Sequence, residues 1–428
     1  MSPRIFRRCQ TASILIAATV AATLLISTVK AAEIIGDPKP EQAGFSLQGL
    51  QRVTDYFQNE VRTGKIPGAI VLIKRHGETA YYGSFGVRNV ATKAPMTADT
   101  IFTLYSMTKP ITSVAALMLV EQGKLALDHE VGQYIHGFYN VKVGAEKMGP
   151  DGQPVLDLVA PHRPMLIHDL MRHTAGIPYA SLAYGVVKKP YDDANLISGN
   201  FTNAEVADKI AALPLIAQPG EVWVYGHASD VLGRVIEVIS GKSLYQFEKE
   251  NLLDPLGMTN TSFFVTDPAK QDLLAFPLPK EKLDRDPRIV TKWESGGGGM
   301  VASISDYARF LQMLLNKGTL DGKRILSPKT VEFMTSNQIG EAAGVKPWAY
   351  YFPGAGYGFG LGVAVRTEAG VAHWPGSIGE YEWSGGSGTY FLVDPKEDMF
   401  AILMIQSSSQ RGRIQSAVKG MIYGAIEK

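Results

Sequence analysis

The β-rich runs of this chain lie at its two ends, and that separation constrains the fold more than any other feature. Near the N-terminus, "GAIVLIKRHGETAYYGSFGVRN" (68–89) holds two apolar, β-branched and aromatic runs around His76-Gly77, the pattern of a hairpin. Near the C-terminus, "YGFGLGVAVR", "GTYFLVDP" and "MFAILMIQ" read as further strands, and residues 411–427 as a closing helix. Strands at one end can bury their apolar faces only by meeting those at the other. "FSLQGLQRVTDYFQNEVRTGK" has apolar residues at helical spacing and ends at a glycine, so it predicts an amphipathic helix. From about 128 to 290 the chain is loop-rich and helical, as in "MLIHDLMRHTAG", "NAEVADKIAAL", "SDVLGRVIEVISG" and "SLYQFEKENLLDPLGM", with little local β signal. The expected architecture is an α/β domain built from 32–127 and 290–428, a mainly helical domain of 128–289 inserted in it, and a cleft at their junction.

Residues 1–31 read as a signal peptide and are excluded from the fold. Arg4, Arg7 and Arg8 make a basic start, "TASILIAATVAATLLIS" is a short Ala-rich apolar run, and "VKAA" offers small residues for cleavage near Ala31. An exported protein, periplasmic or secreted, with no stable membrane span after cleavage is the expectation. The single cysteine, Cys9, precedes the apolar run, so the mature chain has neither thiol chemistry nor a disulfide. Losing Arg4, Arg7, Arg8 and Lys30 turns 42 basic and 41 acidic residues into 38 and 41, which argues against nucleic acid as a partner.

Ser106 and Lys109 stand one helical turn apart in "TLYSMTKPITSVAALMLVEQG". Ser-x-x-Lys arises by chance, as Ser27 and Lys30 illustrate, although that pair goes with the leader. A hydroxyl at a helix start is commonly an N-cap, and a lysine there is commonly a solvated charge. Yet "ITSVAALMLV" is apolar on nearly every face and predicts a buried helix, so Lys109 needs a partner and Ser106 is in reach.

A serine attacking at neutral pH requires a base, and a tyrosine serves once it is ionised. Bringing a phenol from about 10 to about 7 takes roughly 4 kcal/mol, about what one ammonium ~4 Å away supplies at an effective dielectric near 20. Tyr225, at the end of a short β-rich run in "PGEVWVYGHASDVLG", is a candidate, with a core aromatic as the plainer reading. His227 reads equally as a polar substrate contact or as a capping residue. No Gly-x-Ser-x-Gly elbow and no His-Glu-x-x-His pattern occur. His168 and His173, five apart, read as loop or cap residues; "GGGGM" (296–300) is no phosphate loop, and neither a metal nor a cofactor is expected.

"SMTK", "YGH" and "WSGGSGT" resemble, in order and approximate separation, the three motifs of class C serine β-lactamases and the related family VIII carboxylesterases, as do "LMRHTAGIP" and "ESGGGGMVASISDYARFLQMLLNKG". The resemblance runs from about residue 40 to 426. It implies the β-lactamase/transpeptidase-like α/β fold, an antiparallel sheet flanked by helices, and places the "GGGGM" loop near the cleft. It further implies Ser106 as nucleophile, Lys109 and Tyr225 as its activating pair, and the backbone N–H groups of Ser106 and Gly386 as the oxyanion hole.

Two departures bear on substrate. Trp383-Ser384-Gly385 stands where the β-lactamases and penicillin-binding proteins carry Lys-Thr-Gly, which removes the cation that meets a substrate carboxylate. Tyr225-Gly226-His227 stands where the lactamases carry Tyr-x-Asn, which removes an amide. With Trp383, Ser384, Gly385 and His227 as the substrate-binding set, the expectation is a serine carboxylesterase acting on small, uncharged short- to medium-chain esters. The alternatives are a β-lactamase or D-amino-acid peptidase or amidase of the same fold and, more remotely, a non-catalytic peptidoglycan-binding module.

Overall fold

The chain ends meet in the middle of one sheet. The structure, a computed structural model, describes residues 34–197 and 200–428; the signal peptide and Cys9 expected in 1–31 lie outside the described residues. Helix α1 (Leu47–Arg62) starts at Ser46, whose hydroxyl accepts the Gly49 N–H at 3.2 Å, and buries Leu50, Val53 and Phe57 along one face. Strands β1 (Gly68–Arg75) and β2 (Glu78–Asn89) form the expected hairpin, with His76 and Gly77 at φ of 55° and 76°. After β3 (Ala94–Pro95) and β4 (Ile101–Thr103) the chain enters helix α2 (Lys109–Glu121), buried over most of its circumference as its apolar sequence predicts. Pro110 is tolerated there because it falls in the first turn, where no intrahelical donor is lost.

The inserted region carries a hairpin that its sequence does not announce, β5 (Val143–Met148) with β6 (Pro154–Val159). Both strands are largely exposed on both faces, so they lack the alternation that a half-buried strand shows. Helices Asn203–Ala211 and α3 (Ala228–Ser240) follow. Next come β7 (Val301–Ser303), helix α4 (Ile304–Leu315), and a small hairpin of β8 (Thr319–Leu320) and β9 (Lys323–Arg324). The run read as one strand over 357–366 is two, β10 (Tyr357–Phe359) and β11 (Ala364–Arg366). The chain turns between them at Gly362, φ 94°, where an added Cβ would press on Ser113 of α2. Strands β12 (Tyr381–Ser384), β13 (Tyr390–Asp394) and β14 (Met399–Ile405) precede the closing helix α5 (Arg411–Tyr423).

Eight strands form one antiparallel sheet in the order β10-β11-β12-β13-β14-β1-β2-β3, so the N-terminal hairpin and the C-terminal strands join where β1 pairs with β14. Successive β1 residues point to opposite faces. Ala69, Val71 and Ile73 pack under α1 and α5 with Phe57, Ile414 and Val418, whereas Ile70 and Leu72 face α2 and α4 with Ile111, Val114 and Phe310. Each of the Val, Leu, Ile and Phe side chains among them, fully buried, contributes about 1.5–3 kcal/mol of transfer free energy. The second core continues without a break into the helices of 128–289, through Leu170, Val231 and Leu232. The candidate site lies where those helices meet the start of α2.

Candidate active site

Strand β4 delivers the chain to Ser106. It pairs with β7, and Leu104 N–H continues that pairing to Met300 O at 2.9 Å, which brings the glycine run before β7 beside the start of α2. Tyr105 then turns with φ 47°, a left-handed conformation that a bulky residue adopts at a cost of about 1–3 kcal/mol. Its hydroxyl accepts the Asp284 N–H at 3.1 Å, which fixes the ring. Ser106 follows in a 3₁₀ turn (Tyr105–Thr108) leading into α2 and is half-buried.

Lys109, fully buried, uses all three ammonium donors. Nζ lies 2.6 Å from Gly297 O, 2.9 Å from Tyr179 Oη and 3.3 Å from Ser106 Oγ. It also stands 4.6 Å from the centroid of the Tyr225 ring. Burial by itself would push the ammonium toward neutrality, but Tyr179 and Tyr225 beside it more than reverse that, and Lys109 is held above the usual lysine range. Burial also pushes the Tyr179 phenol up, against the pull of the Lys109 charge. The first two residues of the sequence-predicted set, Ser106 and Lys109, are therefore in hydrogen-bond reach, with Tyr225 over the same ammonium.

Tyr179 is the residue that sequence reasoning missed. It follows directly on "LMRHTAGIP", so a signal lay one residue beyond a motif already singled out.

The "GGGGM" loop holds the lysine from behind. Gly297 N–H and Ser295 Oγ donate to Asp230 Oδ1 at 3.0 and 2.6 Å, and Thr112 Oγ1 donates to Gly296 O at 3.0 Å. Burial opposes the Asp230 charge, but hydrogen bonds from His227 and Ser295 keep its carboxyl below the ordinary range. His227 Nδ1 is 2.9 Å from Asp230 Oδ2, and its ring meets the edge of Tyr179 at 4.5 Å. At 3% exposed, His227 sits inside the protein at the start of α3 and is absent from the cavity wall at Ser106. His227 stands at the N-cap position of α3 without a side-chain capping bond, and its ring lies behind Tyr179.

Gly386 reaches Ser106 through the turn between β12 and β13. Ser387 Oγ and Gln406 Nε2 both donate to Thr103 O, at 3.0 and 3.1 Å, and Thr389 Oγ1 donates to Leu104 O at 3.3 Å, knitting that turn to the end of β4. A Cβ on Gly385 would fall well inside contact distance of Leu104 O and Thr389 Oγ1, so this glycine is required for close approach rather than for contact with a ligand. Gly386 is different: the nearest atoms its added Cβ would find belong to the Tyr105 side chain, at 3.5 Å and beyond, and the residue lines the cavity with Ser106.

That cavity, about 290 Å³, is also lined by Tyr225, Trp383 and Ser384. The Trp383 ring lies 5.5 Å from Tyr225 and 5.2 Å from Phe359, and its Nε1 has no hydrogen-bond partner among the described residues. Neither ring nitrogen of the buried His173 has one either; His173 lies under Tyr225 at 4.9 Å, and burial, then the Lys109 charge, lowers its pKa well below the ordinary histidine value. Among the described residues no cluster of His, Cys, Asp and Glu could hold a metal, and no helix is long and apolar enough to cross a membrane.

Ser106 thus stands in the cavity wall within hydrogen-bond reach of a buried ammonium, on a fold that known proteins share. The chain is 34% identical over 358 residues to Protein Rv1367c of Mycobacterium tuberculosis (strain ATCC 25618 / H37Rv), covering 80% of this chain and 86% of that one. It is 28% identical over 416 residues to Esterase EstB of Burkholderia gladioli, covering 90% and 98%. Among solved structures it superposes on EstCE1, a hydrolase with promiscuous acyltransferase activity, with a TM-score of 0.73 at 28% identity, over 88% of this chain and 98% of that one. The Beta-lactamase family profile matches residues 53–418, and with that span and this fold the chain belongs to the Beta-lactamase family and is a hydrolase of its α/β architecture.

Proposed function

We propose that the protein is an exported serine carboxylesterase that hydrolyses short- to medium-chain esters through an acyl-enzyme on Ser106. The observation that carries this reading is the placement of Ser106 Oγ 3.3 Å from a buried Lys109, in a cavity whose wall at position 383 is an indole rather than a cation. Ser106 Oγ attacks the ester carbonyl carbon while its proton passes to Tyr225, whose ring faces the Lys109 ammonium. The oxyanion is received by the N–H groups of Ser106 and Gly386, worth several kcal/mol in a dry site. Collapse breaks the bond to the alcohol oxygen, which takes the proton from Tyr225 and leaves. Water then attacks the acyl carbonyl, giving a proton to Tyr225, and the acid departs as Ser106 Oγ recovers its proton.

The likeness to Esterase EstB supports ester chemistry, and Trp383 supports neutral esters over substrates with a free carboxylate. A fluorophosphonate probe followed by peptide mass spectrometry tests the nucleophile, with label expected on Ser106. Comparing kcat/KM for p-nitrophenyl butyrate and nitrocefin tests the class: the ester should win by at least tenfold, and equal turnover would favour the β-lactamase reading. Export is tested by fractionating cells that express the full chain and determining the N-terminus of the mature protein, expected near residue 32.

A further inference from the structure

The cavity at Ser106 has two chemically distinct walls. On one side stand Tyr225, Phe352, Pro353 and Trp383, an aromatic and apolar surface in which Phe352 meets Tyr225 edge to face at 5.3 Å. The other side carries Glu382, Ser384, Arg411 and Gln415. The two differ because Trp383 and its strand neighbours alternate across the sheet, and because α5 begins beside the turn that holds Gly386.

The polar wall has bonding capacity to spare. Glu382 accepts from Lys419 and from Tyr390 Oη through Oε2 alone, which leaves Oε1 without a partner among the described residues. Lys419 is buried and also donates to Glu380 Oε1 at 2.7 Å, so Glu382 is held in place as well as charge-matched. Ser384 Oγ and the Arg411 guanidinium make no hydrogen bond among the described residues, and the Gln415 side chain donates from Nε2 to Gly388 O and Thr389 O, leaving its oxygen open. Donors and acceptors with spare bonding capacity therefore line the same cavity as Ser106.

Their signs select the ligand. A carboxylate there would meet Glu382, and an ammonium would meet Arg411. Arg411 also lines an adjoining cavity of about 250 Å³ with Glu281, Lys282 and Asp284, so charges of both signs share its surroundings and no single ligand charge is favoured throughout. A neutral group bearing adjacent hydroxyls, each both donor and acceptor, satisfies a carboxylate oxygen, a hydroxyl and a guanidinium at once. We infer that the polar wall binds a vicinal diol, so that the substrates of this site are esters of a polyol such as glycerol, with the acyl group along the aromatic wall. This rests on the esterase reading given above.

The test compares kcat/KM for 1-monobutyrin with that for 2-methoxyethyl butyrate, which has the same acyl group and a leaving alcohol of similar acidity but no free hydroxyl. The wild type should favour monobutyrin about tenfold, the value of a charged hydrogen bond made to one substrate only, and in Arg411→Leu that ratio should fall toward one. Ser384→Ala, a smaller change, should lower the ratio about threefold. Circular dichroism and the rate of fluorophosphonate labelling report whether each variant is folded with Ser106 reactive. Equal use of the two esters by a wild type that hydrolyses both overturns the diol site and leaves the esterase reading standing; hydrolysis of neither, nor of p-nitrophenyl butyrate, overturns that reading itself. A preference for butyryloxyacetate, which carries a carboxylate on the alcohol side of the same butyryl ester, over both would assign Arg411 to a carboxylate and overturn the inference.

Discussion

The Lys109 ammonium is nearer to the hydroxyl of Tyr179, at 2.9 Å, than to Oγ of Ser106, at 3.3 Å. With a third bond to Gly297 O it has no lone pair to offer, so while protonated it cannot be the base that deprotonates the serine. On the proposed mechanism Lys109 acts as a fixed charge, and the serine proton goes to a tyrosine ionised as its phenolate. Two tyrosines are in place. Tyr179 is bound to the ammonium through its oxygen and its pKa is raised, which suits a neutral phenol that orients the lysine. Tyr225 presents its ring to the same ammonium and lines the cavity.

Tyr225→Phe should therefore lower kcat by several decades, and Lys109→Ala by a similar factor, with the double variant little worse than either because one proton transfer is lost in each. Tyr179→Phe removes one hydrogen bond to a charged group, about 1.5–3 kcal/mol, and should cost roughly 10- to 150-fold. Steady-state kinetics on p-nitrophenyl butyrate separates the cases. Equal losses in the two Tyr→Phe variants would transfer the base to Tyr179.

The unequal visibility of these two tyrosines shows what the chain reveals on reading. Ser106 and Lys109 are local, one turn apart on a helix whose apolar composition declares it buried, and Tyr225 ends a β-rich run just before α3, although that run forms only an isolated bridge at Val222. Tyr179 and Asp230 act across the fold: one is 70 residues from Lys109, and the other is joined to it through the Gly297 peptide. No periodicity encodes such contacts. The sheet was legible for the opposite reason, since β1 and β14 are buried along their whole length and read as continuous apolar runs, whereas β5 and β6 are too exposed to carry a pattern.

Gly385 and Gly386 should respond differently to a methyl group. Gly385→Ala drives its Cβ into Leu104 O and Thr389 Oγ1, one of them backbone, so the turn must move. The expected outcome is about 1–3 kcal/mol of lost stability and, because the Gly386 N–H shifts with the turn, a kcat lower by about 10²–10³. Gly386→Ala meets nothing closer than 3.5 Å and should unfold with a midpoint near the wild type's. Urea unfolding and kcat measured on both variants check the contrast; a stable, fully active Gly385→Ala would refute the role given to this turn.

Phe352 sets the length of the aromatic wall. Its ring leans on Tyr225 at 5.3 Å yet is 48% exposed, so truncating it opens the cavity without hollowing the core. Phe352→Ala should lose about 1 kcal/mol of stability or less and move the acyl-chain optimum of p-nitrophenyl esters upward by about two to four carbons, at roughly 0.8 kcal/mol per buried methylene. An unchanged chain-length profile in a folded variant would place the acyl group elsewhere.

His173 ties stability to pH. It is fully buried against Tyr225, Trp223 and Phe359, with both ring nitrogens unpartnered among the described residues, and burial followed by the Lys109 charge lowers its pKa well below the ordinary 6.5. As pH falls, the unfolded chain takes up a proton at this histidine first, so the stability present above 6.5 is lost as pH drops through the interval toward the lower folded value. Each pH unit over which only the unfolded chain holds this proton costs about 1.4 kcal/mol, so this residue makes stability fall as pH drops below 6.5. His173→Asn keeps a residue that tolerates the left-handed φ of 59° and removes the titration. It should be less stable than wild type at pH 8 because of the volume lost, but its unfolding free energy should fall less steeply on going to pH 5. Urea titrations at the two pH values measure that difference directly, and identical pH slopes for wild type and variant would mean that His173 is protonated to the same extent folded and unfolded.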